Sequence, residues 1–177
     1  MNNSWYLEPL LETVEAELNH AIKVYQNLSE DALLKRDHPD SWNIAQILWH
    51  LNSYGEFYLP LIQKYLNNNS IEFKEFKSGW LGNYFTNMMK PREEMKKIKA
   101  FKSHVPPNRP NPYEEVQIFI QQLEKLYKLL RDSNEINLNQ RIPISISKII
   151  QLKLGDVFGF IIAHNERHMK QALRCLA

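Results

Sequence analysis

A single cysteine, Cys175, occurs in the 177 residues. A lone thiol excludes an intrachain disulfide framework and fits a reducing cytoplasm. It also removes the C-x-x-C partner that H-x-E zinc deaminases require. No apolar run approaches the roughly 20 residues of a bilayer span. The start, Met1 to Tyr6 followed by Glu8, lacks the basic-then-apolar pattern of a secretion signal. The expectation is a soluble cytoplasmic protein. Charge of one sign is scarce as well: 22 Lys and Arg against 20 Asp and Glu leave a net +2, too little to predict nucleic-acid binding. The one basic stretch, Lys90, Arg92, Lys96, Lys97, Lys99 and Lys102, is interrupted by Glu93 and Glu94 and accompanies no nucleic-acid motif. It reads as a solvated loop or short helix. Neither a nucleic acid nor a membrane is an expected partner, and no internal repeat or low-complexity segment occurs.

Apolar and aromatic residues are plentiful, at 44% and 11%. A chain of this length buries about 70% of its unfolded surface, enough for one core without metal or disulfide staples. One domain, 1–177, is expected.

Four amphipathic segments organise it. The first runs from about Trp5 to Leu28 with Leu7, Leu10, Leu11, Val14, Leu18, Ala21, Ile22 and Tyr25 inward. Its stop is the polar run Ser29-Glu30-Asp31. The second starts at Asp40 or Ser41, either able to cap free amides. It continues to Asn67-Asn68-Asn69, with a kink or break expected at Pro60. The third opens on Asn111-Pro112-Tyr113-Glu114, an N-cap with proline at the first helical position and a glutamate placed for a capping box. The fourth follows Gly155-Asp156 and nearly reaches the C-terminus. A short link makes the first two antiparallel neighbours. About forty residues separate the second and third, far longer than ordinary bundle loops, so these two helices can lie parallel across a crossover. The crossover residues Trp80, Leu81, Tyr84, Phe85, Met88 and Met89 are too apolar to be simply solvated. They are expected to fold over one end of the bundle, partly as helix, and to wall a pocket. Ile142 to Ser147 alternates like an extended link into the last helix.

The last segment carries His164 and His168. At i, i+4 the two imidazoles stand one above the other, roughly 40° apart around the helix. Their stripe, with Val157, Phe160, Ile161, Ala172 and Cys175, is the apolar one, so both are directed at the core. Such a pair suits a shared metal ion. Glu166 lies about 200° around from His164. It therefore points away from any ion there and reads as a solvated or Arg-paired residue, unlike the glutamate of H-E-x-x-H metalloproteases or their inverted form. His50 is the best third ligand, beside the stripe Ile44, Ile47, Leu48, Leu51, Tyr54 and Tyr58, with Gln46 one turn earlier as a supporting donor. His20, His38 and His104 read as surface or loop histidines.

The tryptophan at helix entry in Ser41-Trp42-Asn43-Ile44, the run Ile47-Leu48-Trp49-His50-Leu51, and His164-Asn165-Glu166-Arg167-His168-Met169-Lys170-Gln171 resemble the DinB/YfiT-like superfamily. The resemblance extends over nearly the whole chain. It implies an all-α four-helix bundle, up-down-down-up with a long crossover between helices two and three. It also implies a divalent metal, zinc, nickel or manganese, held by His50, His164 and His168. Characterised relatives include S-transferases using bacillithiol, mycothiol or glutathione and a thiol-dependent isomerase; others bear the names of hydrolases or DNA-damage-inducible proteins. The expected function is a metal-dependent, thiol-using S-transferase acting on a small molecule. The alternatives are a metal-dependent hydrolase or a non-catalytic metal-binding module, or a stress-response interaction protein that dimerises through a bundle face. Tyr54, one turn from His50, is the candidate acid-base residue.

Overall fold

The computed structural model describes residues 2–68, 72–92 and 99–177. Asn69 of the expected helix stop, and Glu93, Glu94, Lys96 and Lys97 of the basic stretch, lie outside the described residues. The chain is mostly helical with one small sheet. In order come α1 (Ser4–Lys23), α2 (Glu30–Leu34), α3 (Ile44–Asn67), α4 (Trp80–Met89), α5 (Pro112–Arg131), β1 (Arg141–Ile144), β2 (Ser147–Lys153) and α6 (Leu154–Arg174). The four long helices α1, α3, α5 and α6 share the core, α1 and α3 each packing on both α5 and α6. Leu7 and Val14 of α1, Ile47 and Leu51 of α3, Leu123 of α5 and Ile161 of α6 are buried there. Each such side chain contributes about 1.5–3 kcal/mol relative to exposure. No helix among the described residues is long and apolar enough to cross a membrane.

Local chemistry sets the helix ends and corrects several expected ones. The first segment stops at Lys23 and passes through a 3-10 turn, Tyr25–Asn27. The Ser29 hydroxyl then accepts from the Ala32 amide at 3.3 Å and starts α2, so the residue expected to close one helix caps the next. The second long helix is capped by Asn43, not by Asp40 or Ser41. Asn43 Oδ1 accepts from the Gln46 amide at 2.8 Å and Gln46 Oε1 from the Asn43 amide at 3.3 Å. That reciprocal pair satisfies two free donors at once. Ser41 instead closes the preceding turn, its hydroxyl donating to the His38 carbonyl at 2.7 Å. α3 runs on without a break at Pro60. Asn111 caps α5 through the Glu114 amide, with Pro112 in the first turn.

The expected single link after α5 is one strand of a hairpin. β1 and β2 pair antiparallel with Ile142 opposite Leu152, and both side chains are buried. The turn at Ser145-Ile146 contains none of the glycine or asparagine that would advertise a hairpin.

The crossover folds as α4 against α6. Asp156, buried in the first turn of α6, anchors it: the carboxylate accepts from the Ser78 hydroxyl at 2.5 Å and the Gly79 amide at 2.9 Å. At Gly82 a Cβ would lie 2.2 Å from Asp156. Only a residue without a side chain permits that approach. α4 turns two ways, so the expected wall is only partly formed by it. Phe85, Met88 and Met89 line a partly open apolar cavity, while Trp80 and Tyr84 are 82% and 58% exposed.

Candidate metal centre

α3 supplies His50, and α6 supplies His164 and His168 from successive turns. One nitrogen from each ring lies within 4.8 Å of the other two. Nε2 of His50 is 3.1 Å from Nε2 of His164. The three histidines singled out from the sequence are thus brought together where α3 crosses α6.

Hydrogen bonds select the tautomers. Nδ1 of His50 lies 2.7 Å from the carbonyl oxygen of His104. A carbonyl only accepts, so Nδ1 carries the hydrogen and the Nε2 lone pair faces the other rings. Nδ1 of His168 meets the Gln171 side-chain oxygen at 2.9 Å, with the same consequence. Aromatic rings close the sides. Trp42 lies 5.0 Å from His50 between ring centres and 6.5 Å from His168, and Phe160 stacks on His164 at 5.7 Å.

Burial makes the cluster neutral. Desolvation, opposed by the hydrogen bond to His104, lowers the His50 pKa to about 4. Desolvation with the neighbouring His50 lowers His168 to about 3. His164 is held well below the ordinary value by burial and by the other imidazoles. Neutral imidazoles, two of them with Nε2 lone pairs turned inward, are the donor set a divalent ion takes. Two nitrogens about 2.0–2.1 Å from zinc lie about 2.9 Å apart at a right angle and about 3.3 Å apart at the tetrahedral angle. The 3.1 Å between His50 and His164 falls between these, so that pair fits such an ion as it stands, and the His168 nitrogen lies within 4.8 Å of both.

Two supporting residues differ from expectation. Gln46 makes no hydrogen bond to the His50 ring; beyond its role in the cap, its Nε2 donates to the carbonyls of Pro107 and Asn108, at 3.1 and 3.5 Å. It holds the segment whose neighbouring carbonyl holds His50. His104 is not a surface histidine. It is 5% exposed in the 3-10 turn Lys102–His104, its Nδ1 is 2.8 Å from the Ser53 hydroxyl, and its ring stacks on Tyr54 at 3.8 Å. Nothing in its Pro-rich surroundings signals this, because its main contribution is a backbone carbonyl. His38 is exposed and His20 half-buried, and neither they nor Glu166 belong to the metal-capable group.

A buried carboxylate lies behind the centre. Glu17 of α1 is 5% exposed, and Asn165, the neighbour of His164, donates to its Oε2 at 3.2 Å. Its Oε1 has no hydrogen-bond partner among the described residues. Desolvation, opposed by the Asn165 bond and assisted by Glu166, raises its pKa well above the ordinary value. The folded protein therefore keeps a proton that the unfolded chain releases above about pH 4.5, and stability falls as pH rises. Glu17→Gln removes that proton exchange. The variant's advantage over the parent is expected to grow from near zero at pH 4 to about 1–3 kcal/mol at pH 8, read by thermal unfolding of chelator-treated protein. A pH-independent difference would contradict the assignment.

The DinB superfamily model matches residues 10–172. No curated protein and no solved structure gives a significant match. With the match reaching from α1 into the last turn of α6 and including the three histidines, the chain belongs to the DinB superfamily.

Proposed function

We propose that this chain is a divalent-metal-dependent enzyme that joins a low-molecular-weight thiol to an electrophile, with His50, His164 and His168 holding the ion. One observation carries the reading: three neutral imidazoles converge beside an apolar cavity, with Tyr54 and Phe160 belonging to both. Three protein ligands leave coordination positions open, as catalytic sites do and closed structural sites do not. An ion held there supplies Lewis-acid activation of a thiol or water near neutral pH.

The remaining work belongs to the chain. The His104 carbonyl and Gln171 fix the rings of His50 and His168 with their Nε2 atoms inward. Trp42, Tyr54 and Phe160 limit water around them. Burial pushes the Tyr54 phenol up to about 12, so it keeps its proton near neutrality and acts as a hydrogen-bond donor to a reacting group, not as a base.

The reading includes an up-down-down-up order of α1, α3, α5 and α6. Its support is pairwise. Tyr6 meets Gly155 and Glu17 meets Asn165, so α1 and α6 run together. Trp42 meets His168 and Tyr58 meets Phe160, so α3 opposes α6. Asn52 meets Glu115 and Gln122 packs on Gly55, so α3 and α5 run together.

The test is turnover of bacillithiol, glutathione and cysteine with 1-chloro-2,4-dinitrobenzene and bromobimane. Metal-loaded protein is expected to exceed the uncatalysed rate, and chelation or His164→Ala to abolish the excess. Equal rates for parent and variant across every thiol would remove the transferase reading.

A further inference from the structure

The cavity beside His164 lies between α3, α4, α6 and the hairpin, and its volume is about 60 Å³. Tyr54, Tyr58 and Phe160 form its inner wall, Met88 and Met89 its α4 side, and Ile144 and Leu152 its hairpin side. Among the described residues, no charged side chain lines it. The hairpin is seated there by a specific contact, the Ser145 amide donating to the Tyr58 hydroxyl at 3.1 Å. The histidines do not line the cavity but adjoin it across two of its wall residues: Tyr54 is 4.5 Å from His164 between ring centres, and Phe160 stacks on the same imidazole at 5.7 Å.

We infer that this cavity is the subsite for a short, uncharged aliphatic end of the reacting small molecule, an inference that rests on the metal-centre reading above. Charge decides the chemistry. A carboxylate or ammonium entering an apolar enclosure without a partner loses its hydration uncompensated, whereas each buried CH2 gains about 0.8 kcal/mol. Size decides the length. A cavity of about 150 Å³ holds a benzene ring, and this one has less than half that volume, which suits a chain of two to four carbons. The flexible side chains of Met88 and Met89 adapt to chain ends better than branched residues would. Any charged portion of the same molecule must then remain on the open side of the histidines.

The probes are ethanethiol, 1-propanethiol, 1-butanethiol, 2-mercaptoethanol, cysteine and phenylmethanethiol. Binding to the cobalt-loaded protein is read from the thiolate-to-cobalt absorption, and binding to metal-free protein from the methyl NMR shifts of Met88 and Met89. Affinity is expected to rise about fourfold for each added CH2 from ethanethiol to butanethiol. Cysteine and 2-mercaptoethanol are expected to bind less tightly than propanethiol, with no further gain for the aromatic thiol. Met88→Phe on α4 and Leu152→Phe on the hairpin, two fillings from different elements, are each expected to flatten the chain-length series while cobalt still binds. Equal affinity for all the thiols, or unchanged steepness in both filled variants, overturns the subsite. Failure to bind cobalt overturns the metal reading instead. In that case the methyl shifts still decide the subsite: shifts confined to Met88 and Met89 on adding 1-propanethiol support it, and their absence ends it.

Discussion

His164→Ala is expected to lower affinity for a divalent ion by about 10²–10³-fold. Structural zinc sites gain about 10–16 kcal/mol from four ligands, or roughly 2.5–4 kcal/mol each, and a three-ligand site has none to spare. His50→Ala and His168→Ala carry the same expectation because all three nitrogens belong to one group. Gln171→Ala acts at one remove, freeing the His168 ring from its 2.9 Å contact. It is expected to cost about 10–100-fold. His38→Ala, at an exposed position, is the negative control. Titration of metal into stripped protein, with circular dichroism to verify folding, measures the series. If His50→Ala binds as tightly as the parent, the third-ligand assignment is wrong.

The parts of this site legible in the sequence are those fixed by local periodicity. His164 and His168 share a helix face by spacing alone, and His50 lies beside an apolar stripe of period 3.6. Gln171, one turn after His168, belongs to the same stretch. Glu17 was legible too: with Val14 and Ala21 it keeps spacings of three and four, which place it on the inward face. A stripe drawn only from apolar residues passes over it. The rest depends on contacts between distant segments. His104 follows a long crossover and helps chiefly through its carbonyl, which no residue type encodes. The hairpin escaped because its turn has ordinary residues, so the alternation of β1 showed while its partner did not. The outward face of α4 escaped for a different reason. Composition marks Trp80 and Tyr84 as apolar, but which side of a short helix meets the bundle is set by Asp156 and the glycine packed against it.

Those tertiary contacts also change the expected response to acid. From the free histidine value, metal affinity would fall as pH drops through about 6.5. In the folded protein burial has already lowered His50 to about 4 and His168 to about 3. Their lone pairs are free at pH 6.5, so affinity is expected to stay level from pH 8 to about 5 and to fall below that. Metal-free stability should begin to move at higher pH. Between the folded and unfolded pKa values the unfolded chain binds the proton and the folded chain does not, so the contribution is fully present above about pH 6.5 and is lost as pH falls toward 4. For His50 alone, a lowering from 6.5 to about 4 corresponds to about 3 kcal/mol, a large part of the roughly 5–15 kcal/mol that holds a domain folded. Urea unfolding of chelator-treated protein at pH 4, 5, 6 and 7 measures it. The parent is expected to lose stability steeply toward pH 4, and His50→Gln, which cannot take up that proton, to lose about 3 kcal/mol less over the same range. Parallel curves for the two proteins would show that His50 is not buried in the neutral form, and the convergence of lone pairs on which the metal centre rests would go with it.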